Sequence, residues 1–434
     1  MRISSSQFFT MNVQTMDDQQ ATLATMYQQI ATGNKLQTAA DNPLAAAQAV
    51  QLSAQSATLA QYTTNQCSAL TSLQQEDSTV QSVVSVYQSI QTVVTNAGDG
   101  SLTDANRSSL ATQLTSLRNQ LMTLANTTDA NGNSIFGGYQ GSTAAFSNNA
   151  SGVGATYGGD NGQRLVQVSD GRSVSVGDTG AAVFQSVSPN ESVPVPAQGA
   201  SNTGSATIGA VTYTNQTNPN NANAYTITFA PLASTTTPQT TTGSQLQYTI
   251  TNAAGDPVDS NGDALVTPAT PTPVQYTSGT PITVAGESVT VTGTPAASDT
   301  FSVTPANTGN TSDTDIFTTL DNLVSALQQP TGTPAASAAV TNALATAATK
   351  INNSYNNVLT VQASVGGREQ EVQTIQTSMA TTSTQTASSL SDLTGVDMAS
   401  AISQYELTQT ALQGAQQAFA SIQKMSLFNY ISGS

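Results

Sequence analysis

The residues that could do chemistry are few, and none stands in a complete set. Asp259-Ser-Asn261-Gly-Asp263 spaces three oxygen ligands as a calcium-binding loop would. Its glycine is not at the sixth loop position, and Thr270 stands where a bidentate acid belongs, so the run reads as an Asn-Gly hairpin turn. Ser421-Ile-Gln-Lys424 matches the spacing of a serine nucleophile and its lysine, but it lies beside the end of a heptad helix with no second motif. Phe136-Gly137-Gly138-Tyr139 lacks the downstream Lys-Ser/Thr that would complete a phosphate cradle. With no His, no Trp and Cys67 as the one cysteine, the parts of a Ser-His-Asp or Cys-His site, a His-rich metal site and a disulfide framework are missing. The expectation is a non-enzymatic chain with no catalytic, cofactor-binding or metal-binding residues.

The composition points the same way. Of 434 residues only 8% are charged, against about 25% in an ordinary soluble protein. The 25 acidic and 9 basic residues give a formal charge of −16, which opposes binding to phosphate backbones and anionic membranes. The basic residues are Arg2, Lys35, Arg107, Arg118, Arg164, Arg172, Lys350, Arg368 and Lys424, so the stretch from Ser173 to Thr349 has none. The opening Met1-Arg2-Ile3-Ser4 has no apolar run of the kind a cleaved secretory signal needs, and no segment approaches the roughly 18 apolar residues of a membrane span. The expected protein stays in the cytosol or leaves by a route without a cleaved signal, and neither nucleic acid nor membrane insertion is expected.

The elements are helical at both ends and not in between. Phe9, Met16, Leu23 and Ile30 fall seven apart and put one apolar stripe on a helix, which Gly33-Asn34 interrupts. Asn42 and Pro43 supply a cap and a first helical position. From there Leu52, Leu59, Gln66, Leu73, Val80, Tyr87 and Val94 form one seam, with Gln55, Tyr62, Ala69, Glu76, Val83 and Ile90 on a second, in a helix on the order of 80 Å long. Thr103 and Asp104 open a returning helix carrying Leu110, Leu114, Leu117, Leu121 and Leu124. Near the other end Leu344, Ile351, Val358, Val365, Val372 and Met379 repeat every seven residues, and a last helix carries Met398, Tyr405, Leu412 and Phe419 after the break at Leu393-Thr-Gly395. Such stripes cannot be left in water, so the two long heptad segments are expected to bury each other. The outermost helices are marginal alone and are expected to order on assembly. Between Asn131 and about Pro305 the period changes to two, as in Tyr225-Thr-Ile-Thr-Phe229 and Val289-Thr-Val291, with Asn-Gly turns between the runs.

The chain resembles the flagellin family. The resemblance rests on Gln28-Gln-Ile30-Ala-Thr-Gly33-Asn-Lys35-Leu36, on Ala40-Asp41-Asn42-Pro43-Leu-Ala-Ala-Ala47, on Ile135-Phe-Gly-Gly-Tyr139 and on the closing Lys424-Met-Ser-Leu-Phe428-Asn-Tyr430. It covers roughly residues 1–146 and 340–434; residues 170–310 have no clear match. The Asp-Asn-Pro-Leu-Ala-Ala-Ala run and the Ser-Leu-Phe-Asn-Tyr ending are similar to the hook–filament junction branch of the family. Filament flagellins usually carry Asp-Asp-Ala-Ala-Gly and end in Leu-Leu-Arg.

What the resemblance implies is a structural subunit of the bacterial flagellum, an adaptor at the hook–filament junction, exported by the flagellar type III apparatus without a cleaved signal peptide. The implied partners are other copies of the chain in a ring or tubular lattice, another hook-associated protein, flagellin and a cytosolic export chaperone. Filament flagellin and a secreted adhesin-like binding module are the alternatives. The expected fold is an α+β multidomain one, in which long antiparallel heptad helices from both termini form a rod with a β-rich middle insertion. Its segments are 1–40, 41–145, 146–310, 311–395 and 396–434. The expected assembly interface is Phe9, Met16, Leu23, Ile30, Met398, Tyr405, Leu412, Phe419, Leu427 and Phe428.

Overall fold

In the computed structural model, residues 5–188, 192–232, 246–265, 273–307 and 314–431 are described. Among them are seven helices: α1 (Ser5–Thr32), α2 (Pro43–Ala97), α3 (Asp104–Ala125), α4 (Gly180–Phe184), α5 (Ile316–Leu327), α6 (Pro334–Thr394) and α7 (Met398–Ile431). The chain divides into two compact units, one of residues 1–65 with 374–434 and one of residues 66–373. No helix among the described residues is long and apolar enough to cross a membrane.

In the larger unit, α2 and α6 run antiparallel. Tyr87 and Tyr355 approach to 6.2 Å between ring centroids, and Gln91 Nε2 donates to Asn352 Oδ1 at 2.8 Å. The heptad positions expected to be internal are buried: Leu73, Val80, Val83, Tyr87 and Ile90 on α2, and Ile351, Val358, Val365 and Val372 on α6. Thr103 caps α3, its side chain accepting from the Asn106 amide, and α3 lies against α5. That last helix lies in the segment 311–395 expected to be helical, and its buried Ile316, Leu320, Leu323 and Leu327 alternate by four and three; Asp315 caps it by accepting from the Phe317 and Thr318 amides. A cluster of aromatic rings completes this core. Phe146 and Phe184 stand 5.5 Å apart at 84°, and Phe136 and Phe184 5.4 Å apart at 90°, with Phe317 on the far side. Edge-to-face rings are the favourable arrangement.

Arg118, buried in this core, pairs with Asp321 at 3.1 Å and lies over the Phe317 ring. Asp321 also accepts from the Gly154 amide at 2.8 Å. Gly154 has φ +78, and a Cβ there would collide with Thr318 Oγ1, so only glycine lets that amide reach.

The period-two runs form antiparallel sheets, as read from the sequence. Strands β5 (Val195–Gln198), β8 (Tyr225–Pro231), β9 (Leu246–Asn252), β10 (Val274–Gln275) and β13 (Thr300–Thr304) make a five-stranded sheet in the order β10-β9-β8-β13-β5. A second sheet has the order β11-β12-β6, built from β11 (Pro281–Val284), β12 (Glu287–Thr292) and β6 (Thr207–Ile208), with β7 (Thr212–Tyr213) also on β12. Ile227, Phe229, Phe301 and Val303 of the first sheet and Ile208, Ile282, Val289 and Val291 of the second share one buried cluster. Two hairpins stand apart, β1 (Phe146–Asn148) with β2 (Ala155–Tyr157), and β3 (Leu165–Ser169) with β4 (Arg172–Ser175).

The insertion is fastened to α6 by neutral side chains. Asn342 accepts from the Ile208 amide at 2.8 Å and donates to the Ala206 carbonyl at 3.1 Å. Thr346 donates to the Pro196 carbonyl at 2.7 Å, and Asn353 brackets Val193, accepting from its amide at 3.0 Å and donating to its carbonyl at 2.8 Å. Asn357 donates to the Ala182 carbonyl at 2.8 Å. Replacing Asn342 or Asn353 by Ala strands a backbone amide and a carbonyl, and is expected to cost about 1–3 kcal/mol by urea denaturation. The exposed Thr360→Ala should stay within about 0.5 kcal/mol.

Glu287 is the exception in the sandwich: it is 2% exposed, and neither carboxyl oxygen has a hydrogen-bond partner. Burial pushes its pKa from 4.5 up to about 7. Because the folded state binds this proton more tightly, stability is fully present below about pH 4.5 and is lost as pH rises towards 7. Glu287→Gln should therefore raise stability above pH 7 and change little at pH 4.5, read by denaturant midpoints across that range.

Candidate assembly surface

The smaller unit is built from the two extremities of the chain. α1 and α7 hold mostly Ala, Gln, Met, Leu, Ser and Thr, and hydroxyls bond back along the helix: Thr15 to the Met11 carbonyl at 2.8 Å, Thr22 to Asp18 at 2.8 Å and Thr32 to Gln28 at 2.9 Å. Those hydroxyls have a local partner.

The two helices lie antiparallel. At one end the rings of Phe9 and Phe419 meet at 5.1 Å. At the other, Asn34 and Gly395 form a β-bridge, with the Lys35 amide on the Thr394 carbonyl at 2.8 Å and the Val396 amide on the Gly33 carbonyl at 3.0 Å. Gly33 takes φ +70 there, a conformation that favours glycine. The loop into α2 is held by Asp41, which accepts from the Gln37 and Thr38 amides at 3.0 and 2.8 Å. Those bonds hold its carboxyl below the usual carboxylate range. Asn42 accepts from the Ala45 amide at 3.1 Å, the expected cap of α2, and Asp397 caps α7 on the Ala399 amide at 3.1 Å.

This register puts Met16 level with Leu412 and Leu23 with Tyr405. Among the described side chains of α7 the half-buried ones are Ala401, Tyr405, Thr408, Leu412, Ala415 and Phe419, alternating by four and three as in a two-helix seam. Met16, Leu23 and Ile30 are half-buried on α1. The expected stripes thus include the faces that close on one another within a single chain. Phe9 and Met398 stay 46% and 42% exposed, while the Leu427 and Phe428 side chains lie outside the described residues. A different apolar set points outward: Met11 and Tyr27 on α1, Ile402 and Leu407 on α7, Leu44 and Val50 at the start of α2. A search for residues seven apart finds half of a seam and misses the Ala401, Thr408 and Ala415 half, whose side chains are small or polar. It misses the outward set altogether, because those residues share no repeat.

The other candidate chemistry resolves into turns and helix. Asp259 Oδ1 accepts from the Asn261 and Asp263 amides at 2.8 and 3.0 Å, and Gly262 takes φ +82; Thr270 lies outside the described residues. Gly138 has φ +66 in a turn where the Tyr139 amide donates to Asp160 at 2.9 Å. Ser421 donates to the Gln417 carbonyl at 2.9 Å, and the Lys424 side chain lies outside the described residues. Among the described residues no group of three or more His, Cys, Asp or Glu side chains could hold a metal ion.

Residues 3–141 match the bacterial flagellin N-terminal helical region, and residues 348–431 match the bacterial flagellin C-terminal helical region. Together these spans take in just over half of the chain. The chain belongs to the flagellin family. As a flagellin-family protein it is 27% identical over 432 residues to flagellar hook-associated protein 3 of Escherichia coli, covering 99% of both chains. It is 37% identical over 198 residues to flagellar hook-associated protein 3 of Salmonella typhimurium, covering 45% of this chain and 60% of that one. Among solved structures, flagellar hook-associated protein-3 of Legionella pneumophila superposes with a TM-score of 0.66 at 25% identity, over 79% of this chain and 98% of that one. The helical spans of the family are the ones that hold α1 and α7.

If the α1–α7 seam holds the ends of this flagellin-family chain together, a carboxylate in it should release them. Leu412→Asp is expected to lower far-ultraviolet helical ellipticity by up to the contribution of the 28 and 34 residues of these helices. The near-ultraviolet signal of the aromatic cluster in the larger unit should be unchanged.

Proposed function

We propose that the chain is a structural subunit of the bacterial flagellum and joins hook to filament. The observation that carries this reading is the end-to-end alignment with a hook-associated protein 3, supported by terminal helices of the flagellin type. On this reading it works as an adaptor whose partners are other copies of itself in a ring, another hook-associated protein on the hook side and flagellin on the filament side. A cytosolic chaperone accompanies it before export, which leaves it outside the cell without a cleaved signal peptide. The terminal segments 1–40 and 396–434 carry the assembly contacts, and the β-rich middle, 146–310, faces outward.

The assembly surface includes Phe9, Met16, Leu23, Ile30, Met398, Tyr405, Leu412, Phe419, Leu427 and Phe428, with two tasks divided among them and their neighbours. Leu23, Tyr405, Leu412 and the Phe9–Phe419 ring pair close α1 on α7, which shapes the surface; Met398 and the outward Met11, Tyr27, Ile402 and Leu407 meet the next subunit. Burying exposed apolar area at about 25 cal/mol per Å² favours assembly, and a surface with few charges has little charge to desolvate on association.

Deleting the gene in its source bacterium should leave hooks, remove filaments and release flagellin into the medium, as seen by electron microscopy and by blotting the supernatant. Complementation with Leu407→Asp should fail in the same way while the purified variant keeps its full helix content. Normal filaments in the deletion strain would overturn the junction role, and normal filaments with Leu407→Asp would overturn the outward set.

A further inference from the structure

A buried carboxyl on α2 stands at the root of the β3–β4 hairpin. Glu76 is 2% exposed; one oxygen accepts from the Asp178 amide at 2.7 Å and the other has no partner. The Asp178 carboxylate is ion-paired with Arg368 of α6, which also donates to the Ser175 carbonyl at 3.2 Å. Further along the hairpin Gln66 of α2, fully buried, donates to the Val168 carbonyl at 2.7 Å, and Arg172 pairs with Glu371 of α6. The hairpin is thus gripped from both sides by polar contacts: Gln66 and Glu76 from α2, Arg368 and Glu371 from α6.

The charged groups around Glu76 act on its ionisation in both directions. Asp178 faces it from the end of the hairpin, Arg368 from α6 and Arg164 from the segment leading into β3. Asp129 lines the same cavity, which at about 10 Å³ has room for one water at most. Desolvation is the largest influence, followed by the Asp178 charge; the Asp178 amide, Arg368 and Arg164 pull the other way, and the balance puts the pKa at about 7 instead of 4.5.

We propose that Glu76 is a proton-operated latch: protonated, it lets the β3–β4 hairpin seat between α2 and α6, and its ionisation loosens that seat. The sign follows from linkage. A carboxyl that holds its proton more tightly when docked stabilises the docked state fully below about pH 4.5. That contribution falls away as pH rises to about 7 and is constant above it. Opening of the hairpin should increase by up to roughly tenfold per pH unit within that window.

The test is amide hydrogen exchange of the full chain from pH 4.5 to 8.5, corrected for intrinsic exchange rates. Residues 165–178 report the latch, and the β8 and β13 amides, followed in a Glu287→Gln background so that the sandwich carboxyl does not titrate in the same window, serve as an internal reference. Wild-type protection in 165–178 should fall steadily up to about pH 7 and then level off, by a larger factor than in the reference strands. Glu76→Gln, neutral at every pH, should keep the acid-side protection and abolish the slope. Flat wild-type protection, a slope shared equally with β8 and β13, or a slope unchanged in Glu76→Gln would each overturn the latch. Should that variant fail to fold, the wild-type slope against the reference strands decides.

Discussion

The interaction on which the larger unit depends is a row of neutral amides and hydroxyls on one face of α6, hydrogen-bonded to the backbone of the inserted β domain. A helix and a β insertion contributed by distant parts of the sequence must meet somewhere, and the meeting surface contains backbone groups that no sheet ladder satisfies. Asn342, Thr346, Asn353 and Asn357 answer those groups directly. An Asn amide both donates and accepts, so one side chain can bracket a residue as Asn353 does Val193, and it does so without the desolvation cost of a buried charge. Placed four, seven and four apart, these residues occupy one helical stripe. The low charge of the chain thus has a structural counterpart: docking that another protein does with ion pairs is done here largely with amides.

The charges that remain are concentrated where geometry needs a fork or a strong pair. Arg118 joins α3 to α5 through Asp321 and stacks on Phe317; Arg368 joins α6 to the end of the β3–β4 hairpin through Asp178. Arginine suits both sites because its planar group can hold a carboxylate and still donate to a backbone carbonyl, as Arg118 does to Gly154 and Arg368 to Ser175. The aromatic residues follow a similar economy. They are 5% of the chain, yet four phenylalanines and Tyr157 meet in one cluster where α4, α5, the first hairpin and the loop after α3 converge.

Much of this was legible in the residues. Pro43 and Gly98 bound α2 because proline at the first helical position and glycine after the last are local rules that tertiary structure rarely overrides. Within the larger unit the heptads of α2 and α6 predicted their own burial, as alternation did in β8 and β12, but on the same seams Leu52, Tyr62 and Met379 are only half-buried and Gln55 is exposed. What was not legible depends on long-range pairing. The β order β10-β9-β8-β13-β5 joins strands whose alternation says which face is buried and nothing about which neighbour lies beside it. At the candidate site the stripes of α1 and α7 were visible, but a stripe alone cannot say whether it faces the other end of its own chain or another molecule. Phe9 against Phe419 and Asn34 against Gly395 give the first answer for the seam residues.

That answer changes where an assembly surface has to be sought. A seam closed within one chain is no longer available to a neighbour, so what α1 and α7 can offer another subunit is the remainder of their circumference. That remainder is mostly Gln, Ser, Thr and Ala, with isolated large apolar residues such as Tyr27 at 66% and Leu407 at 73% exposed. Single exposed apolar residues are ordinary on a protein surface; their meaning here comes from their setting. Salt screens attraction between exposed charges over about 10 Å at 0.1 M, whereas contacts between apolar and neutral polar groups depend less on it. On the proposed junction role, the joint stands outside the cell and meets whatever salt its surroundings hold. A terminal helix pair with an internal seam and a nearly uncharged exterior keeps the same contacts across that range, which is a physical reason for such a joint to be built from glutamine, serine and threonine instead of lysine and glutamate.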